Sequence, residues 1–214
     1  IKEEKIKLAI RKGGLPEDAT QWNDKDLLKF ATLVRKESKP ILLALNKADI
    51  APAEFIERLK GEYAIPTSAM AELALIKAAE NGYIEYKPGD SDFKILKELD
   101  EKQRKGLEYI KTNVFDKFGS TGVQKCIDKA VFDLLGLIAV YPVEDENKLT
   151  DKDGNVLPDV FLLPKGSTVI DLAYKVHSDL AEGFIKAIDV RRKKIVGADY
   201  ELQNGDIIHI IART

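Results

Sequence analysis

Residues 41–50, ILLALNKADI, run five aliphatic side chains directly into an amide, an ammonium and a carboxylate. With Lys39 and Pro40 ahead of it, the aliphatic run reads as a strand buried on both faces, as in a parallel sheet covered by helices. Upstream, IKLAIRKGG (6–14) reads as the end of an amphipathic helix stopped at Gly13-Gly14. From Asn23, the expected N-cap, Leu27, Phe30, Ala31 and Val34 recur at helical spacing. Downstream, Pro52 opens a helix with Phe55, Ile56 and Leu59 on its inner face. YAIPTSA (63–69) is a second short strand, and AMAELALIKAAENG (69–82) a helix. Helix–strand–helix–strand–helix is the rhythm of an open α/β sheet, which places its ligands at the C-terminal ends of parallel strands.

Residues 83–92 read as a loop. A long charged helix is expected next, with Phe93, Leu96, Leu107, Ile110 and Val114 inward. A shorter helix follows Ser120, with Val123, Ile127, Ala130, Val131 and Leu134 inward and Cys126 packed beside that stripe. After Gly136 the texture becomes strand-like: LIAVYPV, VFLLP, FIKAIDV and DIIHIIA, separated by turns at DKDGN, RRKK and QNGD. One helix interrupts them, opened by Thr168 with Asp171 three residues on, and striped by Val169, Leu172, Ala173, Val176 and Leu180. Three segments are therefore expected: 1–82, 83–136 as a helical connector, and 137–214.

Composition removes several classes. The 34 basic and 36 acidic side chains leave a net charge of −2, so no global field draws the chain to nucleic acid or membrane. One cysteine and two histidines exclude a disulfide framework and a Cys/His zinc site. His177 and His209 read as structural or solvated, and no residue is assigned to catalysis or to a metal. A cytoplasmic monomer without a membrane span is expected, and the Lys- and Glu-rich composition leans towards a heat-adapted source. The chain opens on Ile1 in mid-helix pattern, which suggests the latter part of a longer protein.

The polar end of the 41–50 strand has a chemistry of its own. Asp49 offers two acceptor oxygens in a plane, matching the adjacent N1–H and 2-amino donors of guanine; adenine presents an acceptor at N1 and no amino group there. Asn46 can brace the loop and hydrogen-bond the base, while the Lys47 methylene stem lies along the base and ribose. At the next strand end, Ser68 would brace its loop and Ala69 would direct its N–H at guanine O6.

NKAD followed by TSA resembles the fourth and fifth motifs of the P-loop GTPases. Met70 departs from the family, where many members carry Lys. The family also needs a GK[ST] phosphate loop, a switch threonine for Mg²⁺ and a DxxG ahead of NKxD. No GK[ST] loop occurs, and the three DxxG matches (Asp116–Gly119, Asp133–Gly136, Asp151–Gly154) all follow NKAD. The phosphate and Mg²⁺ ligands are therefore expected before Ile1, and these residues alone should not hydrolyse GTP.

The C-terminal segment, from the apolar strand into PKGST through VIDLAYKVHSDL to LQNGDIIHI, resembles the TGS domain, a β-grasp, ubiquitin-like α+β fold. Threonyl-tRNA synthetases, Obg-related GTPases and stringent-response enzymes carry it, and NKAD upstream selects the Obg-related, YchF-type branch, in an archaeal-like form. The resemblance implies guanine nucleotide as ligand and ribosome or RNA as partner. From Asp159 onward eight basic residues balance eight acidic ones, so only Arg191, Arg192, Lys193 and Lys194 concentrate positive charge for phosphate contact. A non-enzymatic RNA- or ribosome-binding adaptor is the competing class, and a synthetase or stringent-response parent the third.

Overall fold

A computed structural model describes residues 3–59 and 61–213. The chain divides into two compact units, 1–127 and 128–214. In the first, α1 (Glu3–Gly13) packs on α2 (Asp24–Ser38), and Lys12 reaches the Glu37 carboxylate at 2.8 Å. Asn23 is the expected cap. Its Oδ1 accepts from the N–H groups of Lys25 and Asp26, and Asp26 returns the bond to Asn23 N–H.

β1 (Leu43–Asn46) and β2 (Ala64–Thr67) pair in parallel, Leu43 against Ala64 and Asn46 against Thr67, with α3 (Ala53–Leu59) between them in sequence. Burial of β1 on both faces is corrected: Ile41 is 55% and Leu43 50% exposed. The reason is the sheet's size. Among the described residues it holds two strands, so β1 has one neighbour and no enclosing layer. Phe55 and Leu59, expected inward on α3, are likewise exposed.

The first unit's core lies on the other side, where α4 (Ala69–Glu80) meets the segment read as a connector. Residues 83–92 are not all loop, since β3 (Ile84–Glu85) pairs antiparallel with β4 (Lys94–Ile95). The long helix starts later than expected. Asp100 and Gln103 form a reciprocal cap that opens α5 (Glu101–Ile110), which leaves Leu96 outside the helix and exposed. The helix continues through a π-helical turn, Lys111–Phe115, into α6 (Asp116–Phe118) and stops at Gly119, whose φ is 77°. Leu75, Ile84, Leu107, Ile110, Val114 and Phe115 pack together here, each worth about 1.5–3 kcal/mol on full burial. α7 (Val123–Asp128) follows, then a π-helical segment, Lys129–Leu134; Ile127, expected inward, is exposed.

The second unit is a five-stranded sheet with a helix packed on it. β5 (Leu137–Val143), β6 (Phe161–Pro164), β7 (Phe184–Asp189), β8 (Lys194–Val196) and β9 (Ile207–Ala212) lie in the order β6-β5-β9-β7-β8. The central pair β5–β9 is parallel and the other pairings antiparallel, which places the chain's ends of this unit side by side in mid-sheet. α8 (Val169–Val176) seals the core with Val169, Leu172 and Ala173, all fully buried, against Val140, Ala187 and Ile208. Asp171 takes the Thr168 N–H at 2.8 Å, as its spacing predicts. Two details differ from expectation. The helix breaks at His177, which caps a separate α9 (Ser178–Glu182) by accepting the Asp179 N–H at 3.2 Å, and a strand, β8, begins on Lys194, the last residue of RRKK.

Candidate functional site

The turn after β1 is built by its own backbone. Lys47 takes a left-handed φ of 63°, which a non-glycine residue adopts at a cost. The turn then closes through Ile50 and Ala51 N–H groups onto the Lys47 carbonyl. Ala48, 2% exposed, donates its N–H to Thr67 O at 3.1 Å and carries the β1–β2 register into the loop. Asp49 is thereby lifted, half-exposed, to the rim of a groove of about 440 Å³ that Ser68, Met70 and Tyr109 also line.

The second loop is buried where the first is exposed. Ser68 is 2% exposed; its side chain caps α4 by accepting the Ala71 N–H, and its own N–H donates to Thr121 O at 2.8 Å. Gly122 is pressed against the same loop. Its φ is 79°, and a Cβ there would stand 2.0 Å from Pro66 O. Thr67 Oγ1 lies 3.5 Å from Cys126 Sγ, so the cysteine packs against β2.

Asn46 ties the two loops together. Its Oδ1 accepts from Lys47 N–H at 2.9 Å and from Ala69 N–H at 3.2 Å. Asn46, Asp49, Ser68 and Ala69 are thus brought to one end of the parallel strand pair. The Ala69 N–H expected to face guanine O6 donates to Asn46 Oδ1. Lys47 is exposed beside them.

Four residues around the two loops were not read from the sequence. Tyr109 donates its hydroxyl to Asp49 Oδ2 at 3.3 Å; burial, and then the Asp49 charge, push that hydroxyl's pKa up. Glu72, 5% exposed, accepts from Tyr86 at 2.9 Å and from Thr121, and its Oε1 has no partner among the described residues. Burial, then the Glu72 hydrogen bond, raises the Tyr86 hydroxyl to about 12. A carboxylate set among apolar residues in the first turn of the helix AMAELALIKAAE was a visible signal for Glu72; nothing in the spacing announced Tyr109 or Thr121.

The basic turn of the second unit divides. Arg192 Nη1 lies 2.5 Å from Asp189 Oδ2 and 2.7 Å from Asp206 Oδ1, both carboxylates buried, and Tyr200 adds its hydroxyl to Asp189 at 3.1 Å. Burial pushes the Asp189 carboxyl up, but the Arg192 N–H, its guanidinium and the Tyr200 hydroxyl outweigh it and hold the pKa below the usual carboxylate value. Arg192, expected in a phosphate-contacting cluster, is thus paired with two buried carboxylates while its own side chain stays about half exposed. Among the described residues, Arg191, Lys193 and Lys194 make no side-chain hydrogen bond or ion pair.

Residues 44–145 match the Obg-like GTPase YGR210-like, G4 motif-containing domain, and residues 148–212 match the TGS domain. An uncharacterized GTP-binding protein, MJ1332, of Methanocaldococcus jannaschii is 53% identical over 99% of this chain and 54% of its own length. The ribosome-binding ATPase YchF of Buchnera aphidicola is 26% identical over 82% of this chain and 41% of its own. A crystal structure of a GTP binding protein from Pyrococcus horikoshii, 49% identical, superposes with a TM-score of 0.70 over all of this chain and 57% of that one. The chain spans about half the length of the curated relatives it matches. It belongs to the Obg-like GTPases that combine a G4-motif domain with a TGS domain.

Proposed function

We propose that this Obg-like chain supplies the base-reading edge and the TGS module of a GTP-binding protein whose phosphate-binding loop and Mg²⁺ ligands lie outside these 214 residues. The observation that carries the reading is the joining of both motif loops by Asn46, which sets the Asp49 carboxylate and the Ala69 N–H at one strand-pair end. Asp49 takes the N1–H and 2-amino donors of guanine, Ala69 N–H meets O6, the Asn46 amide donates to the base, and Lys47 covers its face. Ser68 holds the second loop through its helix cap and the Thr121 carbonyl. The exposed aliphatics of β1 are what a sheet continued by the phosphate-binding half would enclose. GTP hydrolysis belongs to that whole protein, with ribosome or RNA as the partner of the TGS unit, approached through Arg191, Lys193 and Lys194 in the cytoplasm.

Titration of the complete protein with GTP, ITP and ATP tests the base-reading claim. ITP lacks the 2-amino donor, so it should bind roughly ten- to a hundredfold more weakly than GTP, and ATP more weakly still. Equal affinities for GTP and ITP would remove the two-donor reading of Asp49. Ribosome pelleting that ignores the nucleotide altogether would favour the adaptor.

A further inference from the structure

Tyr109 stands on the solvent side of α5, 43% exposed and flanked by Lys105 and Glu108 one turn and one residue before it. A tyrosine there has water available for its hydroxyl. Instead the hydroxyl turns to Asp49 Oδ2 at 3.3 Å, across 60 residues of sequence. Both side chains line the same groove, beside the apolar Met70, Ala74 and Leu107. The segment carrying Tyr109 is also anchored to the other motif loop. Beyond the π-helical turn, Thr121 O accepts the Ser68 N–H at 2.8 Å and Gly122 abuts Pro66. One stretch of chain, 101–122, therefore touches both loops of the base site.

We propose that Tyr109 is a positioning residue for base recognition: its hydroxyl holds Asp49 Oδ2 so that the carboxylate plane faces the two guanine donors. A carboxylate has about four lone-pair sites, so two N–H donors from a base and one O–H from Tyr109 are accommodated together. Asp49 sits on a half-exposed turn with a free χ2, and no other side chain among the described residues is hydrogen-bonded to its carboxylate. Fixing its rotation removes an entropy cost from binding. The inference rests on Asp49 being the guanine reader.

The test is a cycle in the complete protein: Tyr109→Phe, Asp49→Ala and the pair, each titrated with GTP and ATP. The Phe ring keeps the groove wall, so the thermal midpoint of Tyr109→Phe should match the parent. GTP affinity should fall about three- to tenfold, with ATP affinity unchanged. In the Asp49→Ala background the same substitution should cost nothing further, because no carboxylate remains to be held. Parental GTP affinity in Tyr109→Phe, equal losses for GTP and ATP, or the same loss with and without Asp49 would each overturn the proposal while leaving Asp49 as reader. An Asp49→Ala variant that keeps its preference for GTP over ATP would overturn both readings at once.

Discussion

In the second unit Val140, Val169, Leu172 and Ile208 are fully enclosed by the sheet and α8, whereas Ile41 and Leu43, beside the base motif in the first, stand about half exposed. The TGS sheet carries its own hydrophobic stabilisation. The β1–β2 pair does not: the apolar burial of its unit is gathered around α4 and α5 instead. Its two loops are placed by hydrogen bonds from Asn46, Ser68 and Thr121 rather than by strand burial. One unit can thus be closed by its own core while a site in the other is held by a few polar contacts and one close backbone approach.

The contrast breaks most sharply at Gly122. Alanine there meets a backbone oxygen and an unfavourable φ together, so Gly122→Ala should cost about 3 kcal/mol or more. The single tryptophan, Trp22, reports on the first unit, and its fluorescence transition in urea should shift while the second unit's does not. Asp189→Asn is the counterpart in the second unit. It leaves Arg192 with one carboxylate and should cost about 2–3 kcal/mol, with the Trp22 transition unmoved. A shift of both transitions by either variant would mean that the units are not separable.

Alkaline pH sharpens the same division. The folded-state pKa of Tyr86 is raised to about 12, so its contribution is fully present below the ordinary tyrosine value near 10 and is lost as pH rises through about 12. The Trp22 transition should weaken over that window, and Tyr86→Phe should abolish this part of the dependence. Asp189 behaves oppositely. Its lowered pKa keeps its contribution present above the unfolded carboxylate value and loses it as pH falls below. The smallest effect concerns the basic turn. Replacing Arg191, Lys193 and Lys194 with Ala should leave stability unchanged and flatten the salt dependence of ribosome or RNA association by up to about three phosphate equivalents. Arg192→Ala should instead destabilise the second unit.

Much of this was legible in the residues. The strands LIAVYPV, VFLLP, FIKAIDV and DIIHIIA announce themselves by apolar β-type runs between turns, and the caps at Asn23 and Thr168 by side-chain spacing. β8 was hidden because three residues that start inside a basic run carry no periodicity. The start of α5 moved because the Asp100–Gln103 reciprocal cap outweighed the apolar spacing of Phe93 and Leu96. The motif residues could be named from NKAD and TSA, but Tyr109 and Thr121 reach them through tertiary contacts of 60 and about 53 residues, which no local pattern encodes. Charge counting grouped Arg192 with its neighbours, since two buried carboxylates from β7 and the turn before β9 meet it only in the folded sheet.

The most direct measurement is nucleotide preference in the complete protein with Asp49→Asn. An amide offers one acceptor where guanine presents two donors, so the lost charge-assisted pair should cost about 2–4 kcal/mol, roughly thirty- to a thousandfold in Kd for GTP. Xanthine carries a carbonyl where guanine has its 2-amino group, and the new amide N–H₂ can donate to it. The variant should therefore bind XTP better than GTP while both unfolding transitions stay in place. Parental GTP affinity with no gain for XTP would contradict the account, leaving the NKAD turn as a solvated end to an exposed strand.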